Sequence, residues 1–478
     1  MAQLYQSILR IVFLLILKSL YFPFQLYHFL VDSYVLLFSS SDRKEPDNVG
    51  DESSDDESVN RLGQEEPVTD GILNAVDIVD ICHAHGYKVH EHVVQTKDGY
   101  LLAIHRILGK NSDIHKTGRP VVYFHHGLLT NSELFVLGET PAKCLPYILL
   151  EKGYDVFLGN NRGNKYSRKH LNLSSSSNKF WDYSLDEFAL HDIPDTIDYI
   201  LALTGNIQLT YVGFSQGSAQ AFGALSLNPK LNKKIKVFIG LSPAMIPKGL
   251  NHPIARLFVD AAPSLVFSIF GRRAILPSVV FWQKMLGSWY YRQAVDKSLK
   301  LLFGWTTSNI PFNQKVIGYP HMFSPSSVKS VVHWFQIINS KRFQMYDEGL
   351  VSPLTTISST NLKVHRVAPF PVQTISTPIY LIYGKSDMLI DIEPTRKALT
   401  SCKEIEAIGI DTYEHMDVLW AKDVVEKVFT PVVNTIDRYN QRNQTVEIID
   451  CVEHRKVNGE IELHTSKARD RSNGSIVV

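Results

Sequence analysis

The stretch Gln208-Leu209-Thr210-Tyr211-Val212-Gly213-Phe214-Ser215-Gln216-Gly217 decides the fold. Its first half is a short apolar run that reads as a buried strand. Its second half is G-x-S-x-G, followed by a helix-compatible segment. Two glycines allow a turn tight enough to hold the serine strained and exposed. The helix start behind it favours developing negative charge. Alone the motif is weak, because ordinary Gly and Ser usage produces about one match per ten chains of this length. A structural serine in a Gly-rich turn would look the same.

The flanking sequence supplies context. Upstream, Tyr87 to Gln95 alternates, Lys97-Asp98-Gly99 makes a turn, and Tyr100 to Ile107 resumes, which predicts a hairpin. Short apolar runs then recur at Val121–Phe124, Tyr154–Leu158, Lys236–Ile239 and Pro378–Tyr383, separated by helix-length segments. Such runs are buried parallel strands, and their spacing is that of an α/β chain.

Three of these strands end in chemistry. Ser215 follows the first as a candidate nucleophile. Val121–Phe124 leads into His125-His126-Gly127-Leu128-Leu129, where the Leu128 N–H can pair with the Gln216 N–H as an oxyanion hole. Each such donor is worth roughly 3 kcal/mol of barrier. The two histidines themselves read as packing or hydrogen-bonding groups. Pro378–Tyr383 leads into Gly384-Lys385-Ser386-Asp387, where a carboxylate that orients a catalytic base belongs. Asp391 lies further along that loop, in a structural or capping position. After the run Glu406–Ile410 comes Tyr413-Glu414-His415-Met416-Asp417, with His415 as candidate base. The order Ser…Asp…His, each at a strand end, is the order of the α/β-hydrolases. The joint match is far more specific than any of its parts.

These motifs, together with Gly159-Asn160-Asn161-Arg162-Gly163-Asn164 and Phe180-Trp181-Asp182-Tyr183-Ser184-Leu185-Asp186-Glu187, resemble the acid lipase family. That family holds the gastric and lysosomal lipases and the fungal steryl ester hydrolases. The resemblance runs from about Gly71 to Tyr439. It implies an α/β-hydrolase fold, a Ser215–His415–Asp387 triad, oxyanion donors at Leu128 and Gln216, and neutral lipid esters as substrates. It calls for no metal or organic cofactor. Two positions depart from the animal members: Phe214 stands where they usually have His, and Asn161 where they usually have Ser. Neither is a triad group, but an acidic optimum does not carry over. The Arg162 loop and the Phe180-Trp181 stretch read as braces of the core.

Ser215 and Asp387 lie further apart than a bare sheet requires. The excess, residues 242–371, holds Trp282, Trp289, Trp305 and Trp334 and reads as a helical cap with a lid. The organisation expected is a first core part at 71–241, the cap at 242–371, a second core part at 372–439 and a polar tail at 440–478.

The ends of the chain explain its bland totals. With 49 Lys+Arg against 48 Asp+Glu, the net charge is +1, and nucleic acid is not the expected partner. Residues 42–70 carry eleven acidic and three basic side chains and read as a disordered linker. Residues 1–41 are rich in Leu, Ile, Phe, Tyr and Val, with Arg10, Lys18 and Asp32 the only charged side chains, and Gln3, Tyr21, Gln25 and His28 accompany these among the polar positions. At helical spacing those fall in one stripe about 80° wide. No run is long enough to span a bilayer simply, and Pro23 interrupts it. The segment reads as an interfacial anchor to a membrane or lipid droplet, at the endoplasmic reticulum or the droplet surface, with a tilted or hairpin insertion as the alternative. Four scattered cysteines exclude a zinc ribbon and a disulfide scaffold. Steryl ester hydrolysis is the activity expected. Triacylglycerol hydrolysis is the alternative, and a non-catalytic anchored lipid-binding protein is the reading from a different class.

Overall fold

The computed structural model describes residues 68–441 except 110–117, 251–252, 254–255, 257–258, 276–278, 350–366, 401 and 403. The expected anchor, the acidic stretch up to residue 67 and the tail from residue 442 lie outside the described residues. No helix among the described residues is long and apolar enough to cross a membrane.

The centre is a nine-stranded sheet. Its strands are β1 (Lys88–Gln95), β2 (Tyr100–Leu108), β3 (Val121–His125), β4 (Asp155–Leu158), β5 (Lys169–His170), β6 (Leu209–Phe214) and β7 (Ile235–Leu241), then β10 (Ile379–Gly384) and β11 (Ile405–Ile410). Between β7 and β10, β8 (Ala274–Ile275) and β9 (Ser326–Ser327) form a separate antiparallel pair. The main order is β1-β2-β4-β3-β6-β7-β10-β11, with β5 on β2. The expected hairpin is β1–β2, closed at Gly99 with φ +97°. β2 runs antiparallel to β4, and from β4 to β11 every pairing is parallel.

The apolar runs are continuous because the strands are covered on both faces. Alternate side chains enter two different cores. Val122, Phe124, Val212 and Ile239 join Tyr147, Val428 and Val432 on one face. Val121, Tyr123, Tyr211 and Phe238 join Ile193, Ile197 and Phe222 on the other. The period-two strand pattern and the helical layers are therefore one arrangement.

The Arg162 loop braces this core, as its sequence suggested. Arg162 is buried, pairs with Asp192 at 2.6 Å and Asp98 at 2.6 Å, and lies 4.0 Å over the Tyr100 ring. Asp192 reaches it from a π-helical turn, Phe188–Asp192. That turn follows a capping box in which the Glu187 carboxylate accepts from the Ser184 N–H at 2.6 Å. Phe180 and Trp181 are buried, and the Trp181 indole donates to the Ser175 carbonyl.

The residues between β7 and β10 are mainly helical, with helices at Pro263–Phe270, Val279–Phe303, Phe312–Met322 and Val328–Ser340. Val266, Phe267, Val328, Val332 and Tyr346 form a small core of their own. This insertion leaves the sheet at one parallel strand and returns at its immediate neighbour.

Candidate active site

All five expected site residues lie just past the carboxyl ends of parallel strands, where α/β sheets place their ligands. β6 ends at Phe214, and the helix Gln216–Leu227 starts one residue later. Ser215 between them has φ +53° and ψ −117°. That is a costly conformation for a residue with a Cβ, of the kind that persists at functional sites. It is held because the Ser215 N–H donates to the Leu241 carbonyl of β7 at 2.9 Å, and the Ser215 carbonyl accepts from the Ser218 N–H at 3.0 Å.

The two motif glycines permit this turn. A Cβ on Gly213 would sit 2.8 Å from the Ser218 nitrogen, and one on Gly217 would overlap the His125 carbonyl oxygen. The second clash is backbone against Cβ, so no rotamer relieves it. Gly217→Ala is expected to destabilise the protein by about 1–3 kcal/mol and to remove most ester hydrolysis by pushing the β3 loop from Ser215. Thermal denaturation and an ester assay check this. An alanine variant with unchanged midpoint and rate would show that the packing is looser than described.

Ser215, His415 and Asp387 are hydrogen-bonded in series. Ser215 Oγ lies 2.8 Å from His415 Nε2, and His415 Nδ1 lies 2.6 Å from Asp387 Oδ2. His415 and Asp387 are both buried. The other Asp387 oxygen accepts from the Leu389 N–H at 2.9 Å. The loops carrying them are pinned together by the Ser386 N–H donating to the Tyr413 carbonyl. Ser242, just past β7, fixes the His415 backbone by donating its hydroxyl to the His415 carbonyl at 2.9 Å. Asp391 stands outside this series. It occupies the N-cap position of the helix Ile392–Ala398 and makes no side-chain cap bond.

The β3 loop lies against Ser215, since a Cβ on Gly127 would sit 3.0 Å from the Ser215 Cβ. Among the described residues, neither the Leu128 nor the Gln216 backbone N–H has a protein acceptor. The loop is braced from below by the paired histidines. The His126 Nε2 accepts from the Asn161 N–H at 3.0 Å, so its Nδ1–H donates to the Gly127 carbonyl at 2.8 Å. The His125 Nδ1 accepts from the Tyr123 hydroxyl, and its Nε2–H donates to Asn161 Oδ1 at 2.7 Å. Burial pushes His125 down to about 4 and His126 to about 3, so both are neutral braces. Asn161, the departure from the animal pattern, is thus the acceptor that unites His125 and Gln220. Phe214, the other departure, packs its ring 5.2 Å from that of His415.

Two groups escaped the sequence reading of the site. The Trp334 indole N–H donates to the Gln216 side-chain oxygen at 2.7 Å, and Trp305 stacks on the His415 ring. Both come from the insertion, more than a hundred residues from their partners in the chain, so no local pattern announces them. Among the described residues the cysteines offer no rival nucleophile. Burial pushes the Cys82 thiol up to about 12 and raises Cys144 and Cys402 as well. Among the described residues no cluster of His, Cys, Asp and Glu could hold a metal ion.

Comparison with known proteins agrees with this architecture. A family described as alpha/beta hydrolase fold matches residues 120–422, and a partial alpha/beta-hydrolase lipase region matches residues 78–139. A probable lipase of Schizosaccharomyces pombe is 46% identical over 376 residues, covering 78% of this chain and 83% of that protein. The gastric triacylglycerol lipase of Rattus norvegicus is 33% identical, covering 73% of this chain and 88% of that protein. The lysosomal acid lipase/cholesteryl ester hydrolase of Homo sapiens is 32% identical, covering 77% of this chain and 94% of that protein. On this extent of similarity, spread over the strands and loops that build the site, the chain belongs to the acid lipase family of α/β-hydrolases.

Proposed function

We propose that this protein hydrolyses neutral lipid esters through a Ser215–His415–Asp387 triad, with steryl esters as its main substrates. The observation that carries the reading is the unbroken hydrogen-bond series from Ser215 Oγ through His415 to Asp387. Asp387 holds the His415 Nδ1–H, which leaves Nε2 free to take the serine proton. Ser215 attacks the ester carbonyl, and the oxyanion settles on the Leu128 and Gln216 amides. His415 then protonates the leaving alcohol. Water activated by the same ring attacks the acyl-enzyme and releases the fatty acid.

The substrate class has separate support. One relative carries cholesteryl ester hydrolysis in its name and another triacylglycerol hydrolysis, at similar identity. The apolar N-terminal segment followed by an acidic stretch resembles the fungal steryl ester hydrolase branch and favours the first. That segment also supports a membrane or lipid-droplet surface as the place of action. Burying each CH₂ of an acyl chain or sterol contributes about 0.8 kcal/mol, so an aromatic cap can bind such a substrate by contact alone.

The test is lipidomics on cells lacking the protein beside cells carrying Ser215→Ala. Steryl esters are expected to accumulate in both, with triacylglycerol unchanged. Accumulation of triacylglycerol instead would move the assignment to a glyceride lipase. No change in either lipid would sink it. A second measurement addresses the surface: a chain starting after residue 70 is expected to lose flotation with membranes and droplets.

A further inference from the structure

We infer that Trp305 is a positioning residue for His415, presented by the insertion as a fixed aromatic face against the imidazole. This rests on the reading of Ser215, His415 and Asp387 as the triad. The indole and imidazole rings are 5.0 Å apart between centroids and only 6° from parallel. Phe303 continues the stack on the indole at 4.4 Å. Trp305 is buried, yet its indole N–H has no hydrogen-bond partner. The ring is therefore held by its faces and its backbone.

The backbone hold is specific. The residue next to His415 is Glu414, and its carboxylate grips the two residues after Trp305. One oxygen accepts from the Thr306 N–H at 2.8 Å, and the other from the Thr307 N–H at 2.7 Å. Asn309 adds donations to the Thr412 carbonyl and the Asp417 carboxylate, both at 2.8 Å. Gly304 and Thr307 flank the grip with φ of +76° and +53°. For threonine that is a strained state, kept only where surroundings over-determine it. The insertion is thereby fastened to the loop that carries the base.

The geometry suits what the base must do. His415 becomes positively charged as Ser215 attacks. A tryptophan face within about 6 Å of a cation is the best aromatic partner for it. A fixed face also prevents the ring from turning away from Ser215 and keeps water off one side. The cation–π part of the stack is felt only while the charge is present, so it acts on the reaction step more than on substrate binding.

The test compares Trp305→Phe with Trp305→Leu in the full chain. Both keep apolar bulk, but only one keeps an aromatic face. The readouts are kcat and KM for p-nitrophenyl butyrate and the rate of Ser215 labelling by a fluorophosphonate. Trp305→Phe is expected to stay within about threefold of the parent, and Trp305→Leu to lose roughly tenfold in kcat and labelling rate with KM within about twofold. Equal rates in the two variants, or a loss confined to KM, would overturn the inference. Labelling of Ser215→Ala is the separate control. If that protein still reacts at another residue, the triad reading fails and not the stack alone.

Discussion

Replacing Ser215 by alanine is expected to slow hydrolysis of a soluble p-nitrophenyl ester by about 10⁶-fold. His415→Ala should lose a similar factor, and the double variant little more, because the two groups act as one unit. Asp387→Asn is expected to cost about 10⁴-fold, since an amide next to Nδ1 favours the wrong tautomer of the base. The distances of 2.8 Å and 2.6 Å in the series already match the roles, so the loss falls on chemistry and not on a rearrangement. Thermal midpoints of the variants check that the fold is intact. A Ser215→Ala protein with more than a few per cent of the parent activity would place the chemistry elsewhere.

Acidification from neutral pH is expected to lower the thermal stability of this protein. Burial lowers His85, His92, His125 and His333 from 6.5 to about 4, and His126 to about 3. In the unfolded chain each recovers an ordinary histidine pKa. Between about pH 6.5 and 4 the unfolded state therefore binds more protons, and stability falls as pH falls through that window. Burial also raises Asp186 to about 7 and raises Asp192 and Asp417, and these three work in the opposite sense. The depressed histidines are the larger set, five against three, and set the expected sign. Each unit of displacement is worth up to about 1.4 kcal/mol, less where solvent screens the group as at His92, and a whole domain has only about 5–15 kcal/mol in reserve. The check is the thermal midpoint from pH 7.5 to 4.5. A flat or rising midpoint would refute the claim.

Much of this was legible in the sequence, for local reasons. The short apolar runs announced β3, β4, β6, β7 and β10 because both faces of a parallel sheet are covered, which leaves a continuous signal. Ser215 was legible because its strained turn demands glycines at fixed offsets. Asp387 and His415 followed from strand ends and chain order. What was not legible depends on contacts across the chain. Trp305 was visible only as one of several aromatic residues in an insertion, and nothing local to it specifies a partner on another loop. The bond from Trp334 to Gln216 is hidden for the same reason. Asn161 looked like a departure from a family pattern. Its role as the acceptor shared by His125 and Gln220 emerges only when three segments meet.

The place of the insertion has a consequence for biosynthesis. Ser215 and His415 are 200 positions apart, while Asp387 and His415 are separated by only 28. A chain growing from its N-terminus thus completes the serine turn first. It must then make the whole insertion before β10 can close on β7 and the base can arrive. Until then β7 is an open edge, and such late pairings are slow to form. Assembly of Ser215, His415 and Asp387 therefore waits until the insertion is made and β10 has paired with β7. By that point the segment carrying Trp305 is already waiting for His415.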